Sequence, residues 1–451
     1  MLRLAEKSYL IMAQNSSEML VINKLLNRNN IETDLVPAPP EWGTVCAIAV
    51  KIKETDLEKS KNLLNSAGIQ NAKILEDRKL KLQGLIDKKL GLVVSEQFLD
   101  ILKKIENGDE LKKEEIVYLL STDKKREIDA IFSAADRIRK ETVGDVVEIR
   151  GAIEFSNYCM KNCKYCGIRG QNSEVKRYRM TEEEIMEVVK YLHSIGLRTV
   201  ILQSGEDPYW TTPKIVNILR KIKETTGMRI TLSIGERPYE EYAEFKKAGA
   251  DNFLLKIETT NRELFREIHP DDDYDTRLQC SKWLKELGYI NGSGNIIGLP
   301  GQTVNDIASD IEFFRDMGIN MIGIGPFIPA KGSPYEKLTP GDIALTLRTV
   351  AVTRIVCKKV YIPSTTALAS LSKDAQVWAL NAGANTIMLI NTPKEYRSNY
   401  NIYDNKNMVD LEAAVYAVRK AVNRKLPSYL KLPSYLENPD FDLAAKQEGV
   451  L

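Results

Sequence analysis

From residue 147 to residue 391 the chain repeats one pattern: an apolar run, a polar or glycine-containing loop, then an amphipathic stretch. The apolar runs are VVEIRGAI, TVILQ, MRITLSI, NFLLKIE, GSGNIIG, NMIGIGPF, KVYIP and NTIMLI. Between them, segments such as TEEEIMEVVKYLHSIG, TPKIVNILRKIKETTG and PYEEYAEFKKAGA place apolar residues at helical spacing. Unbroken apolar strands are buried on both faces, and alternation with helices makes the sheet parallel. Eight such units suit a closed or nearly closed (β/α)8 barrel of the TIM type, an α/β fold. Chemistry in that architecture belongs to the loops at the C-terminal ends of the strands.

The flanks divide the rest of the chain. Residues 1–78 alternate YLIMAQ, SSEMLVINKLLNRN, ETDLVP, TVCAIAVK, TDLEKSKNLLNSAG and IQNAKILE. That β-α-β-β-α-β order predicts a small ferredoxin-like α+β domain. Its single Cys46 falls in the third strand, as a buried core thiol or as a thiol that carries or relays sulfur. The segment resembles the small Se/S-carrier-like domains, with Cys46-Ala47 where those often have Cys-Gly. Residues 79–145 are charged and helical by spacing, a linker and lead-in to the barrel at 146–425. Residues 426–451 carry the doubled string LPSYL and read as a proline-broken tail packed on the barrel.

A chain of 451 residues, 43% hydrophobic and 28% charged, buries a substantial core and exceeds one ordinary domain. A net charge of +2 gives no basic face for nucleic acid. No apolar run is long enough to span a bilayer, and MLRLAEKSYLIMAQ lacks the layout of a signal peptide. The expected location is the cytoplasm, with the six cysteines reduced.

Three of those six crowd into FSNYCMKNCKYCGIRG, at Cys159, Cys163 and Cys166, directly after the first barrel strand. Structural zinc sites bring four protein ligands, often with histidine. This chain has two histidines, His193 and His269, both distant in sequence from the cluster; Cys280 and Cys357 sit alone in predicted helices. Three thiolates without a fourth ligand suggest a cubic iron–sulfur cluster with one iron left open.

The CxxxCxxC spacing is the signature of radical S-adenosylmethionine (SAM) enzymes, and the chain resembles that family. The resemblance implies one 4Fe-4S cluster on Cys159, Cys163 and Cys166, with SAM on the open iron and Tyr165 beside it. It further implies that Gln203, Ser204, Gly205, Glu206 and Asp207 of LQSGEDP bind SAM, the Gly-Glu pair holding the amino group. Glu258 of KIETT would reach the ribose or the amino group, and Arg277 the SAM carboxylate. Gly298, Leu299 and Pro300 of GLPGQT would lie along the flat ligand, and Ile324 of IGIGPFIP would flank the adenine.

FSNYCMKNCKYCGIR, RYRMT, LQSGEDPY, TLSIGE, GLPGQT, MIGIGPFIP and NAGANTIM together resemble the HydE group, radical SAM maturases of [FeFe]-hydrogenase. Methylornithine synthase and biotin synthase share the architecture. The HydE likeness implies a small organometallic iron–cysteine or amino-acid-like substrate facing Ser233, Lys256, Tyr396 and Tyr400. It also implies a ferredoxin- or flavodoxin-type electron donor and partners in hydrogenase or other metallocofactor assembly. Three features depart from the group: Lys256-Ile257 stands for Arg-His, the C-terminal segment lacks cysteines, and the N-terminal domain is additional. One cluster only is expected. The rival readings are a carbon-skeleton mutase like methylornithine synthase and a non-catalytic iron–sulfur scaffold or carrier.

Overall fold

Runs of Val, Ile and Leu with no polar face can be buried only between two layers, and the barrel strands obey this. In the computed structural model, which describes residues 7–438 except 14–15, 39–47, 70, 78–81, 83, 87, 92 and 373, two sheets form. The larger is parallel and eight-stranded: β5 (Glu148–Ser156), β6 (Thr199–Ser204), β7 (Arg229–Ser233), β8 (Asn252–Leu254), β9 (Ile290–Ile297), β10 (Met321–Pro326), β11 (Pro363–Ser364) and β12 (Thr386–Ile390). Its order is β10-β9-β8-β7-β6-β5-β12-β11. Every residue of β5 and β9 is buried. A parallel bridge from Met321 to Tyr361 joins β10 to the approach to β11 and nearly closes the barrel.

Two strands are shorter than their apolar runs. NFLLKIE pairs regularly only over Asn252–Leu254, because Glu258 turns at φ 61° to bridge Asn295. KVYIP yields only the two-residue β11, beginning at Pro363, which has no N–H for a ladder. Helices Lys113–Ser121 and Lys125–Val143 pack on Val304–Asp316 and Ile343–Cys357 respectively, so the lead-in is a coat on the barrel wall.

The smaller sheet is antiparallel, ordered β2 (Asp34–Pro37), β3 (Ile48–Lys53), β1 (Ser8–Met12), β4 (Lys73–Glu76). Helices Ser16–Arg28 and Leu57–Ser66 cover it around Ile11, Ile22, Leu26, Val50 and Leu64. Cys46 and Ala47 lie outside the described residues. The domain sits on the barrel face made by the N-terminal ends of the strands. There Asn320 Nδ2 donates to Leu35 O at 2.5 Å, Lys285 pairs with Asp34 at 3.4 Å, and Lys359 with Asp77 at 2.6 Å. Past residue 426 the chain lies along the barrel, with Lys431 N bonded to Ile195 O at 2.9 Å and Arg198 over the Tyr429 ring. Among the described residues no helix is long and apolar enough to cross a membrane.

Candidate active site

The cysteine loop leaves β5 at the strand's C-terminal end and is folded by side chains from the RYRMT segment. Arg177 donates to the carbonyls of Asn157, Ile168, Arg169 and Asn172, while Asn157 accepts from Tyr178 N at 2.7 Å. Backbone bonds fasten the loop to its neighbours, among them Met160 N to Glu206 O and Lys164 N to Ile268 O, both 2.9 Å, and Gly167 N to Ile402 O at 3.0 Å. Cys159, Cys163 and Cys166 all line one cavity of about 370 Å³, within the range of small-molecule sites. Burial raises the pKa of all three thiols, Cys166 to about 12, and the charges of neighbouring cysteines push Cys163 and Cys166 further. Thiolates in so desolvated a setting need a cation close by, because metal binding and deprotonation go together. Three soft donors converging on one cavity fit an iron–sulfur cluster.

Gln203, Ser204, Gly205, Glu206, Ser233, Lys256, Glu258, Arg277, Tyr165 and Tyr400 line the same cavity. Gly205 is required by the loop beneath it: a Cβ there would stand 2.3 Å from Tyr158 O and 2.7 Å from Cys159 Cβ. Glu206 reaches across to accept from Glu236 N at 3.0 Å, and its pKa is raised by burial. Gly235, at φ +78°, makes room for it; a Cβ would fall 1.9 Å from Glu206 Cγ. Lys256 Nζ donates to Glu258 at 2.8 Å. Arg277 is a buried hub. It pairs with Glu236, donates to Asp272 at 2.8 Å and to Lys256 O at 2.7 Å. Burial would lower its pKa, but the two carboxylates raise it.

Six expected contacts fall outside the cavity lining. Asp207 is turned away and fully engaged, accepting from Arg179 at 2.7 and 2.9 Å and from Ser156 at 2.6 Å. Tyr396 stacks on Tyr178 and donates to Glu184 at 2.8 Å on the outer side. Gly298, Leu299 and Pro300 form a turn in which Gly298, at φ +89°, abuts Gly341 and Leu299 packs with Leu264, Ile268 and Phe327. Those residues prepare the helix entry, where Gln302 accepts from Gly298 N at 2.7 Å. Ile324 points into the core behind the sheet, since alternation along β10 turns Gly323 and Gly325 to the lumen.

The structure also adds residues that sequence distance hid. Helix Arg262–Ile268 ends at His269, which places Nδ1 3.3 Å from Cys163 Sγ. Asp272 lies beside it at 3.3 Å and is bonded by Arg277 and Lys161. Burial would raise the Asp272 pKa, but these partners hold it well below the usual carboxylate range. The signal was the string IHPDDDYD following the Glu258 loop. On the opposite wall Tyr403, Lys406 and Glu154 line the cavity, with Lys406 and Glu154 paired and nearly fully buried. His193 is exposed on the barrel exterior, in helix Glu182–Ser194.

A parallel eight-stranded barrel with three thiols after its first strand defines the class. A family model, "Radical SAM superfamily", matches residues 153–314; "Biotin and Thiamin Synthesis associated domain" matches 324–417, and "Putative Se/S carrier protein-like" matches 8–76. The chain belongs to the radical SAM superfamily and is a radical SAM enzyme, which implies a 4Fe-4S cluster and SAM. It is 45% identical over 307 residues to the [FeFe] hydrogenase maturase subunit HydE of Thermotoga maritima, covering 68% of this chain and 88% of that one. It is 30% identical to 3-methylornithine synthase of Methanosarcina barkeri, over 73% of this chain and 92% of that one. The crystal structure of methylornithine synthase (PylB) superposes with a TM-score of 0.64 at 27% identity, covering 78% of this chain and all of the other.

Proposed function

We propose that the chain is a HydE-like enzyme that cleaves SAM reductively and acts on a small iron–cysteine or amino-acid-like substrate in metallocofactor assembly. The observation that carries this is the shared cavity: three half-buried thiols on one side, Gln203 to Glu206, Ser233, Lys256 and Glu258 on the others, and Tyr400 and Tyr403 opposite. Cys159, Cys163 and Cys166 would hold the cluster; Glu206 and Glu258 would meet the SAM ammonium and ribose. When bound, the two groups supply one-electron cleavage of the sulfonium to methionine and a 5′-deoxyadenosyl radical. The chain's part is enclosure. Barrel walls of Ile201, Leu254, Ile296 and Met388 exclude water, and Ser233, Lys256 and the tyrosines orient a small polar substrate against the lumen. Arg277, with its guanidinium committed to Glu236, Asp272 and Lys256 O, positions this wall.

Electron delivery would come from a ferredoxin- or flavodoxin-type donor in the cytoplasm, and assembly partners would take the product. The second reading, a carbon-skeleton mutase, is favoured by the full-length superposition on methylornithine synthase. Anaerobic reconstitution with dithionite and SAM should yield 5′-deoxyadenosine, and Cys163→Ala should abolish it while leaving the fold. Normal cleavage by that variant would end this reading. Supplying iron–cysteine complexes against free amino acids then separates the maturase from the mutase.

A further inference from the structure

Each sulfur of the cysteine loop has a hydrogen-bond donor within reach. Lys161 N lies 3.4 Å from Cys159 Sγ, and Ile168 N serves Cys166. At Cys163 the donor group is a side chain, the imidazole of His269, with Nδ1 at 3.3 Å. The ring is buried and doubly held, stacked on Phe265 at 4.6 Å and edge-on to Tyr165 at 5.5 Å. The Tyr165 hydroxyl stands 3.5 Å from Nε2, so it can donate there and leave the proton on Nδ1. That proton then faces two acceptors, Cys163 Sγ and Asp272 Oδ2, each at 3.3 Å; Arg277 already serves Asp272 Oδ2 at 2.8 Å. The bond from Lys164 N to Ile268 O fixes the spacing between the helix end and the cysteine loop.

We infer that His269 donates a hydrogen bond from Nδ1 to the Cys163 sulfur and thereby raises the reduction potential of the bound cluster. A donor at a ligating sulfur withdraws electron density and favours the reduced, more negative state, which is how outer partners tune iron–sulfur centres. His269 is a positioning and tuning residue. The inference rests on the cluster reading of the three cysteines, and the test keeps the two apart.

Iron and sulfide content and the midpoint potential from an EPR-monitored titration without SAM are measured for wild type, His269→Phe and His269→Asn. Phenylalanine keeps the stacking and removes the donor; asparagine restores an N–H near the Nδ1 position. The expected result is normal iron in all three, with the reduction equilibrium of His269→Phe about tenfold less favourable, ~59 mV for one electron. His269→Asn should recover most of that. A reduction equilibrium for His269→Phe within twofold of wild type overturns the inference, while absence of iron from wild type overturns the cluster reading instead. Should His269→Phe fail to take up iron, a second measurement decides. The chain has only two histidines, so 15N-histidine labelling in a His193→Gln background reports on His269 alone. A 15N hyperfine coupling to the reduced cluster supports the bond; none refutes it.

Discussion

Adding one methyl at Gly205 tests whether the SGED segment serves the cysteine loop by shape. In Gly205→Ala the new Cβ would lie 2.3 Å from Tyr158 O and 2.7 Å from Cys159 Cβ. An ordinary contact needs close to 3.4 Å, so the loop and the end of β6 must separate by ~1 Å, a scale at which misplacement can cost on the order of 10²-fold in rate. The nearest atom is a backbone carbonyl, which no rotamer change can clear. Overpacking of this kind costs about 1–3 kcal/mol. At ~2–4 °C per kcal/mol for a domain of this size, Tm should fall by several degrees. Separation also strains the Met160 N to Glu206 O bond, which ties the backbone just after Cys159 to the backbone of Glu206. Differential scanning fluorimetry of the apoprotein and iron content after anaerobic reconstitution read the two consequences separately. A Gly205→Ala protein with unchanged Tm, full iron and normal SAM cleavage would refute the packing account. Loss of SAM affinity alone, with stability and iron intact, would show that the glycine clears space for ligand.

Glu127 has no exposed area and accepts from Ser95, Tyr118 and Thr122, joining three helices of the barrel coat. Burial would raise its pKa, but these bonds lower it to about 2, from 4.5 when unfolded. Its stabilisation is therefore complete above pH 4.5 and fades as pH falls toward 2. Glu127→Gln should cost ~2 kcal/mol at pH 7 and little at pH 2.5, measured by urea denaturation across pH. Asp207→Asn should destabilise by about 2–3 kcal/mol, since Arg179 loses its charge partner, yet leave SAM binding near normal. Weakened SAM binding without loss of stability would put Asp207 back at the ligand. Tyr396→Phe should lose one hydrogen bond, ~1 kcal/mol, with turnover unchanged, whereas Tyr403→Phe should alter substrate turnover without altering iron content.

The barrel was legible because parallel strands leave a signal that loops cannot imitate: long apolar runs at regular separation. That the three cysteines share one cavity was foreshadowed for a related reason, their closeness in sequence. What stayed hidden depended on which way a residue points. Asp207 adjoins Glu206 in sequence, yet the two carboxylates leave the chain in different directions, toward Arg179 and toward Glu236. Ile324 was lost to the period-2 alternation of β10, which presents Gly323 and Gly325 to the lumen. Gly298 takes a left-handed φ open to glycine, and Gly341 abuts the space that its missing side chain leaves. His269 lay beyond reach for the opposite reason. It meets Cys163 only because β8, the Glu258 turn and a seven-residue helix carry it back over the mouth.

The placement of the N-terminal domain bears on what it can do. Asp34, Leu35 and Asp77 touch Lys285, Asn320 and Lys359, which precede β9, β10 and β11 on the face remote from the cysteines. The eight residues of β9 alone span ~26 Å of that separation. A domain seated there does not present its surface to the cluster, so it should be dispensable for SAM cleavage as such. Its ionic contacts are partly exposed and individually weak. Lys359→Glu, setting a like charge against Asp77, should loosen the seat and raise hydrogen exchange at residues 34–36 and 318–321. Iron content and uncoupled 5′-deoxyadenosine formation should hold at wild-type levels. If cleavage fell with the loosening, the domain would act on the chemistry through the barrel floor, where Met321 and Tyr361 close the lumen directly beneath it.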